Sequence, residues 1–380
     1  MNKISIKNKI KRYDKLYKCL KVAKFLYSTK ITHHIDKHRY PRVLQFPITN
    51  KCNSRCVMCN VTSWQLKEEI DIEKFKKIWN DPLFKHIEAV GINGGEPFLC
   101  KNLIEIIEII AQANHVKSIN IISNGFLTNV ITDKLKIIYN ICKKNDVKFF
   151  ISFSLDGYGQ IHDSVRGIPG AFKKAISTIR EIRDHRDEYC DGYDVGCTVV
   201  KQNIDYLTQL DVFCQEENIP IKYRLGINNA RIHNQSIYSN YSIFTNTENR
   251  QSAAEFFYKL IFKSTTIEDK YKYWAIYDYL IGHENRKLGC DWHDNGMTLD
   301  GEFNIYYCAV RSPKISNLQE ESGEKSYFAP SNLKIRDEIM CHECEKCIHD
   351  YYGQIQFENA LKFLYFMYKE RYWTRRYMND

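Results

Sequence analysis

Cys52, Cys56 and Cys59 stand in the stretch Asn50–Asn60 with the spacing C-x-x-x-C-x-x-C. Three thiolates on one short loop can hold three corners of a cubic iron–sulfur cluster. From Tyr40 to Lys85 there is no other Cys and no His. A structural zinc site needs four closed ligands, so three in isolation suit zinc poorly. A [4Fe–4S] cluster held by three cysteines leaves one iron open to a further ligand. A second group follows late in the chain: Cys290, Cys308, Cys341, Cys344 and Cys347. These are metal spacings rather than a disulfide framework. The remaining cysteines, Cys19, Cys100, Cys142, Cys190, Cys197 and Cys214, are scattered singly and read as ordinary buried residues.

Downstream of the first loop come Gly94-Gly95-Glu96-Pro97, Ser123-Asn124-Gly125, Ser154-Leu155-Asp156-Gly157 and His162-Asp163-Ser164-Val165-Arg166-Gly167. In type and order, the cysteine loop and these four stretches resemble the pattern of the radical S-adenosylmethionine (SAM) superfamily. The resemblance implies that the open iron chelates the amino and carboxylate groups of SAM. It also implies roles for single residues. Gly94 and Gly95 lack a Cβ, so backbone can approach a ligand, or simply turn tightly. Glu96 sits where the family meets the methionine amine. Arg166 can offer a charge-assisted fork to the methionine carboxylate, or be a surface arginine. Asn124 and Ser154 can bind ribose or carboxylate, or cap strand ends. Met58 stands where the family presents a residue whose backbone faces adenine. No general acid or base is identified, and His162 and Asp163 read as turn residues.

The elements that must position these groups follow from periodicity. Strands are predicted at Val43–Ile48, Ile87–Asn93, Ser118–Ser123, Lys148–Leu155, Val195–Lys201 and Ile219–Leu225. Helical patterns lie between them, near Ile72–Trp79, Leu103–Asn114, Asn129–Asn145, Ala171–Asp187 and Tyr206–Glu217. Strand–helix–strand at this rhythm means right-handed βαβ units and a parallel sheet. The fold class is α/β, a partial (β/α)6 barrel of TIM type, as the resemblance also implies. Functional groups in such sheets gather at the carboxyl ends of the strands, where each stretch above falls.

After Leu225 the pattern weakens. Residues 228–246 read as a polar loop able to carry substrate contacts, followed by helices at Thr247–Ser264 and Ile267–Ile281. Between Cys290 and Cys308 lies a hairpin-like stretch with Asp300-Gly301 as its turn. This region resembles the twitch domain, the shortened form of the SPASM extension of radical SAM enzymes. The resemblance implies one auxiliary [4Fe–4S] cluster on Cys290, Cys308, Cys344 and Cys347. Cys341 is an alternative to one of the last two, and a zinc site on the same residues is the bland option. The domains are then a basic arm at 1–42, a radical SAM core at 43–284, a twitch-like domain at 285–350 and a helix at 351–380. Phe357, Leu361, Leu364, Tyr365 and Tyr368 mark a face of that last helix.

The chain has 380 residues, 44% of them hydrophobic, and a formal charge of +9. Residues 1–42 hold thirteen Lys and Arg against Asp14 and Asp36. Within them Ile6, Ile10, Tyr13, Tyr17 and Leu20 mark one face of a helix. That helix either packs on the main body or touches an anionic membrane surface. No stretch resembles a signal peptide or a membrane span, and the expected location is the cytoplasm, with peripheral membrane contact allowed.

Together these readings imply reductive cleavage of SAM and hydrogen abstraction by a 5′-deoxyadenosyl radical. An auxiliary cluster suggests an oxidation, and flavodoxin or ferredoxin would be the electron donor. The substrate expected first is a polar small molecule of carbohydrate type. The alternative is a peptide or protein, modified by thioether formation, epimerisation or formylglycine formation. It ranks lower because the segment before the first strand is short for a leader-binding module. A non-enzymatic iron–sulfur or zinc protein is the rival from another class. No nucleic-acid-binding domain is visible.

Overall fold

The computed structural model describes residues 21–29, 38–63, 69–293 and 295–377. The helix face from Ile6 to Leu20 lies outside them. The chain divides into two units. The larger runs from Asp36 to Ser252 and from Trp292 to Asp350. It is built on a sheet whose strands are β1 (Val43–Thr49), β2 (Ala89–Gly94), β3 (Ser118–Ser123), β4 (Lys148–Ser154), β5 (Gly192–Val199), β6 (Ile221–Leu225), β7 (Gly296–Leu299), β8 (Asn304–Tyr306) and β9 (Ser316–Asn317). The order is β6-β5-β4-β3-β2-β1-β7-β8-β9. Strands β1 to β6 pair in parallel in chain order, so each crossover returns beside the strand it left.

The crossovers are α1 (Ile72–Trp79), α2 (Leu103–Ala111), α3 (Thr128–Lys144), α4 (Gln160–Arg166), α5 (Ala171–Asp184) and α6 (Leu207–Glu216). Each buries one apolar stripe; α2 buries Leu103, Ile106, Ile107 and Ile110. The strands carry runs such as Ser118-Ile-Asn-Ile-Ile-Ser123, with Ile119 and Ile121 fully buried. A sheet covered by helices wants such residues. The β/α rhythm read from the sequence therefore gives the observed fold, a partial barrel of six parallel strands.

The predicted hairpin forms, but it is not freestanding. β7 pairs in parallel with β1, Val43 opposite Gly296, and β8 and β9 follow antiparallel. The region after Trp292 thus extends the same sheet past the cysteine-bearing strand.

The second unit contains Ala253–Asp291 and the chain from Tyr351 on, with the helical turn at 21–27. It is held by aromatic packing among Phe25, Tyr271, Trp274 and Phe363, with ring centroids 5.4–5.9 Å apart. The C-terminal helix (Phe357–Tyr377) turns Ala360 and Phe363 inward, while Leu361, Tyr365 and Tyr368 are exposed. Two apolar stripes compete on this helix. Phe363 wins because it meets three other rings, and rings in contact add to simple burial.

Candidate active site

The loop that carries Cys52, Cys56 and Cys59 leaves the carboxyl end of β1 and is pinned from three sides. On the first side, the Gly95 N–H donates to the Thr49 carbonyl at 2.6 Å and the Glu96 N–H to the Lys51 carbonyl at 2.8 Å. A Cβ on Gly95 would lie 2.2 Å from the Lys51 carbonyl oxygen, so only glycine permits this approach. The closeness that Gly94 and Gly95 provide is therefore to the root of the loop.

On the second side is the end of α4. Arg55 and Val57 N–H groups donate to the carbonyls of Arg166 and Val165, each at 2.9 Å. These are two of the carbonyls a helix end leaves without partners. On the third side, Asn60 N–H reaches the Ile232 carbonyl at 3.1 Å, and the Asn234 amide donates to the Met58 carbonyl at 2.9 Å. Met58 itself is buried with Val165, Val200 and Tyr241.

Burial pushes the Cys52 thiol up to about 12 and raises Cys59 as well. Thiols held this way stay protonated until a metal displaces the proton. Polar donors already face them. Arg166 Nη1 lies 3.5 Å from Cys56 Sγ, and Asn124 Nδ2 lies 4.0 Å from Cys52 Sγ. Among the described residues no group of three or more His, Cys, Asp and Glu closes round a single metal ion.

Arg166 is buried, and its Nη2 pairs with Asp156 Oδ2 at 2.6 Å. Among the described residues its Nε has no acceptor. A buried guanidinium N–H without a partner costs free energy that an arriving carboxylate would recover. Asn93 Oδ1, at the end of β2, is likewise buried without a donor. An orphaned donor on a guanidinium that also reaches Cys56 Sγ fits the carboxylate of an amino-acid moiety such as the methionine end of SAM.

Glu96 is 1% exposed. It accepts from Ser123 Oγ at 2.9 Å, Asn124 N–H at 2.8 Å and Phe98 N–H at 3.2 Å. Burial lifts its carboxyl to about 7 against these donors. It ties the end of β2 to the end of β3. Asn124 sits beside it and donates to Asn53 Oδ1 at 2.7 Å. Ser154 is buried at the carboxyl end of β4. His162 Nδ1 accepts from the Asp156 N–H at 2.9 Å, and burial holds its pKa well below the usual value, so it is a neutral structural group. Asp163 receives two backbone N–H groups, from Gly170 and Phe172, both at 2.7 Å.

Sequence reasoning gave no role to Asp156, Asn203 or Asn234. Asn203 donates to the Asp156 and Thr198 carbonyls, and Asp156 Oδ1 accepts from Thr198 N–H. Asp156 stood within a quoted stretch, where its charge beside Arg166 was the available signal. Asn234 lay in a polar loop with no periodicity to mark it.

Beside the loop, a cavity of about 270 Å³ is lined by Asn50, Arg231, Thr298, Glu302, Tyr306 and Lys314, among others. Thr298 Oγ1 is buried there without a hydrogen-bond partner among the described residues. Further along, the Cys308 and Cys344 loops approach one another: Arg311 pairs with Glu343 at 3.5 Å. Cys341 is exposed on the last turn of the helix Pro330–His342, while Cys308, Cys344 and Cys347 are partly buried. Cys290 belongs to the helical unit.

Residues 46–210 match the family profile described as the Radical SAM superfamily. Among curated proteins the chain is similar to the antilisterial bacteriocin subtilosin biosynthesis protein AlbA of Bacillus subtilis, 31% identical over 143 residues. The match covers 37% of this chain and 30% of AlbA. The chain spans less than half the length of the curated relatives it matches first.

Among solved structures it resembles Streptococcus suis SuiB bound to the precursor peptide SuiA, with TM-score 0.55, 14% identity, and 85% and 72% of the two chains covered. It also resembles anSMEcpe with bound AdoMet and the Kp18Cys peptide, with TM-score 0.60, 13% identity, and 87% and 98% covered. At these identities the likeness is one of fold. The preference for a small-molecule partner over a peptide is corrected here, because these structures hold peptides and AlbA serves bacteriocin biosynthesis. The superfamily's cofactors are a [4Fe–4S] cluster and SAM, and SPASM-type relatives carry auxiliary clusters besides. Among the described residues no helix is long and apolar enough to cross a membrane. The profile, the fold and the three-cysteine loop at the mouth of the partial barrel agree: residues 46–210 are a radical SAM domain.

Proposed function

We propose that this protein is a radical SAM enzyme that modifies a peptide. The cysteine loop carries the reading. Cys52, Cys56 and Cys59 would hold a [4Fe–4S] cluster, with Arg166 facing the methionine end of SAM. Bound together, cluster and SAM supply a 5′-deoxyadenosyl radical that abstracts hydrogen. The residues of this chain position SAM and keep water from the site. Gly94, Gly95 and Glu96 fix the loop against β2 and β3, while Met58, with its buried neighbours, forms an apolar wall.

The cavity beside the loop supports a peptide as the occupant. At about 270 Å³ it falls just below the usual range of small-molecule sites, roughly 300–1,000 Å³. It suits one or two residues of a longer chain. Its lining offers the unpartnered Thr298 hydroxyl, the Glu302 carboxylate and the Lys314 ammonium, which complement a peptide's donors and acceptors. Cys308, Cys344 and Cys347 would contribute to an auxiliary cluster, with Cys290 the fourth ligand that the twitch resemblance implies.

The test is anaerobic incubation of reconstituted protein with SAM, reductant and each short peptide encoded beside its gene, read by mass spectrometry. The expected result is 5′-deoxyadenosine together with a mass change in one peptide. 5′-Deoxyadenosine without a change in any peptide, but with turnover of a sugar or cyclitol, would overturn the peptide reading.

A further inference from the structure

The resemblance gives Arg166 a single task, at the carboxylate of SAM. Its surroundings are richer than that task requires. The guanidinium is oriented by a buried carboxylate: Asp156 is fully buried and meets Nη2 at 2.6 Å. Asp156 is in turn immobilised. Its Oδ1 accepts the Thr198 N–H at 2.7 Å, its own N–H donates to His162 Nδ1, and its carbonyl accepts from Asn203. With Nη2 fixed, the planar fork delivers Nη1 to Cys56 Sγ at 3.5 Å.

Among the described residues, the Ser54 hydroxyl also lies near that sulfur, at 3.1 Å. Ser54 has one proton, and its oxygen also lies 3.0 Å from the Arg166 carbonyl. A protonated Cys56 can donate to Ser54, whose own O–H donates to that carbonyl. A metal-bound Cys56 has no proton to give. While Ser54 keeps its bond to the carbonyl, Arg166 is then the donor left for the sulfur. Hydrogen bonds and positive charge at the cysteine sulfurs are among the levers that set an iron–sulfur cluster's potential.

We propose that Arg166, held by Asp156, is a positioning residue of the cluster as well as of SAM: it donates to Cys56 and raises the reduction potential of the cluster bound there. A donor and a full charge stabilise the reduced cluster, which carries one more negative charge than the oxidised one. The proposal rests on the reading that Cys52, Cys56 and Cys59 hold a cluster. It needs no statement about the substrate.

The experiment uses the full chain, reconstituted with iron and sulfide and free of SAM. Cys341, Cys344 and Cys347 are replaced by Ala so that one cluster is observed. Iron content reports separately whether the cluster is present; its absence in the Arg166-intact chain would refute the ligand reading and not the role of Arg166. With the cluster present, Arg166→Gln should make reduction at least tenfold less favourable. For one electron that is about 59 mV towards lower potential. A midpoint within about 18 mV of the parent, a twofold change by the same constant, at full iron content would overturn the proposal.

A second measurement avoids dependence on assembly of the Gln variant. In protein labelled with 15N-arginine, pulsed EPR of the reduced cluster should show a 15N coupling additional to that of Arg55, lost in Arg166→Lys. No coupling in the parent, or an identical set of couplings in Arg166→Lys, would also overturn it.

Discussion

The Arg55 N–H donates to the Arg166 carbonyl at 2.9 Å, so the middle of the cysteine loop rests on the last turn of α4. Gly167 makes that contact possible. It ends the helix in the left-handed region with φ at +65°, and a Cβ there would lie 2.3 Å from the Arg55 carbonyl oxygen. Gly170 has a similar φ, +74°, but nothing within 4 Å of a built Cβ. Each Gly→Ala change costs about 1–2 kcal/mol for the left-handed backbone alone. Gly167→Ala must in addition displace the loop. Both variants should melt earlier, and only Gly167→Ala should fail to bind iron on reconstitution. Full iron in Gly167→Ala would show that the loop does not depend on this seat.

Replacing Cys52, Cys56 and Cys59 together by Ala should abolish SAM cleavage by the reduced, reconstituted protein. The number of irons should fall by about four per chain, one cubane's worth. Undiminished 5′-deoxyadenosine from the triple variant would remove the proposed function as a whole.

Glu96 yields a pH dependence. Its carboxyl is raised to about 7 by burial, whereas an unfolded glutamate titrates near 4.3. A group whose folded pKa is raised binds its proton more tightly when folded. The associated stability is therefore full below about pH 4.3 and is lost as the pH rises through 7. Glu96→Gln cannot titrate, so its stability relative to wild type should improve steadily across that window in denaturant titrations. It also loses an acceptor for Ser123 and Asn124, which costs about 1–3 kcal/mol at any pH. A stability difference that stays flat from pH 4 to 8 would contradict the raised carboxyl.

For the second cysteine group the exposure pattern gives an order. Cys341 is exposed, and Cys344 and Cys347 are partly buried on a loop tied to the Cys308 loop by Arg311 and Glu343. In the background lacking Cys52, Cys56 and Cys59, about four irons should persist in Cys341→Ala and vanish in Cys347→Ala. The reverse would exchange the ligands, and zinc in place of iron would eliminate the auxiliary cluster.

The sequence by itself determined the β/α order, six parallel strands and the placement of each polar stretch at a strand's carboxyl end. Strong alternation of short apolar runs with helical stripes leaves few other ways to bury them. The spacing of Cys52, Cys56 and Cys59 likewise carried its chemistry openly, because three donors on one loop need no distant partner. Only the tertiary structure decided what Glu96, Asp156 and Asn234 do. Each meets groups as far as 28 to 176 positions away in sequence, through hydrogen bonds that leave no periodic trace. It also decided that the hairpin after Trp292 joins the barrel sheet through β1, since strand pairing is set by contacts between edges that the chain order does not specify. On the C-terminal helix the sequence marked the face of Leu361, Tyr365 and Tyr368, but the rings of Phe25, Tyr271 and Trp274 bury Phe363 instead, because burial goes to the face that finds matching surface.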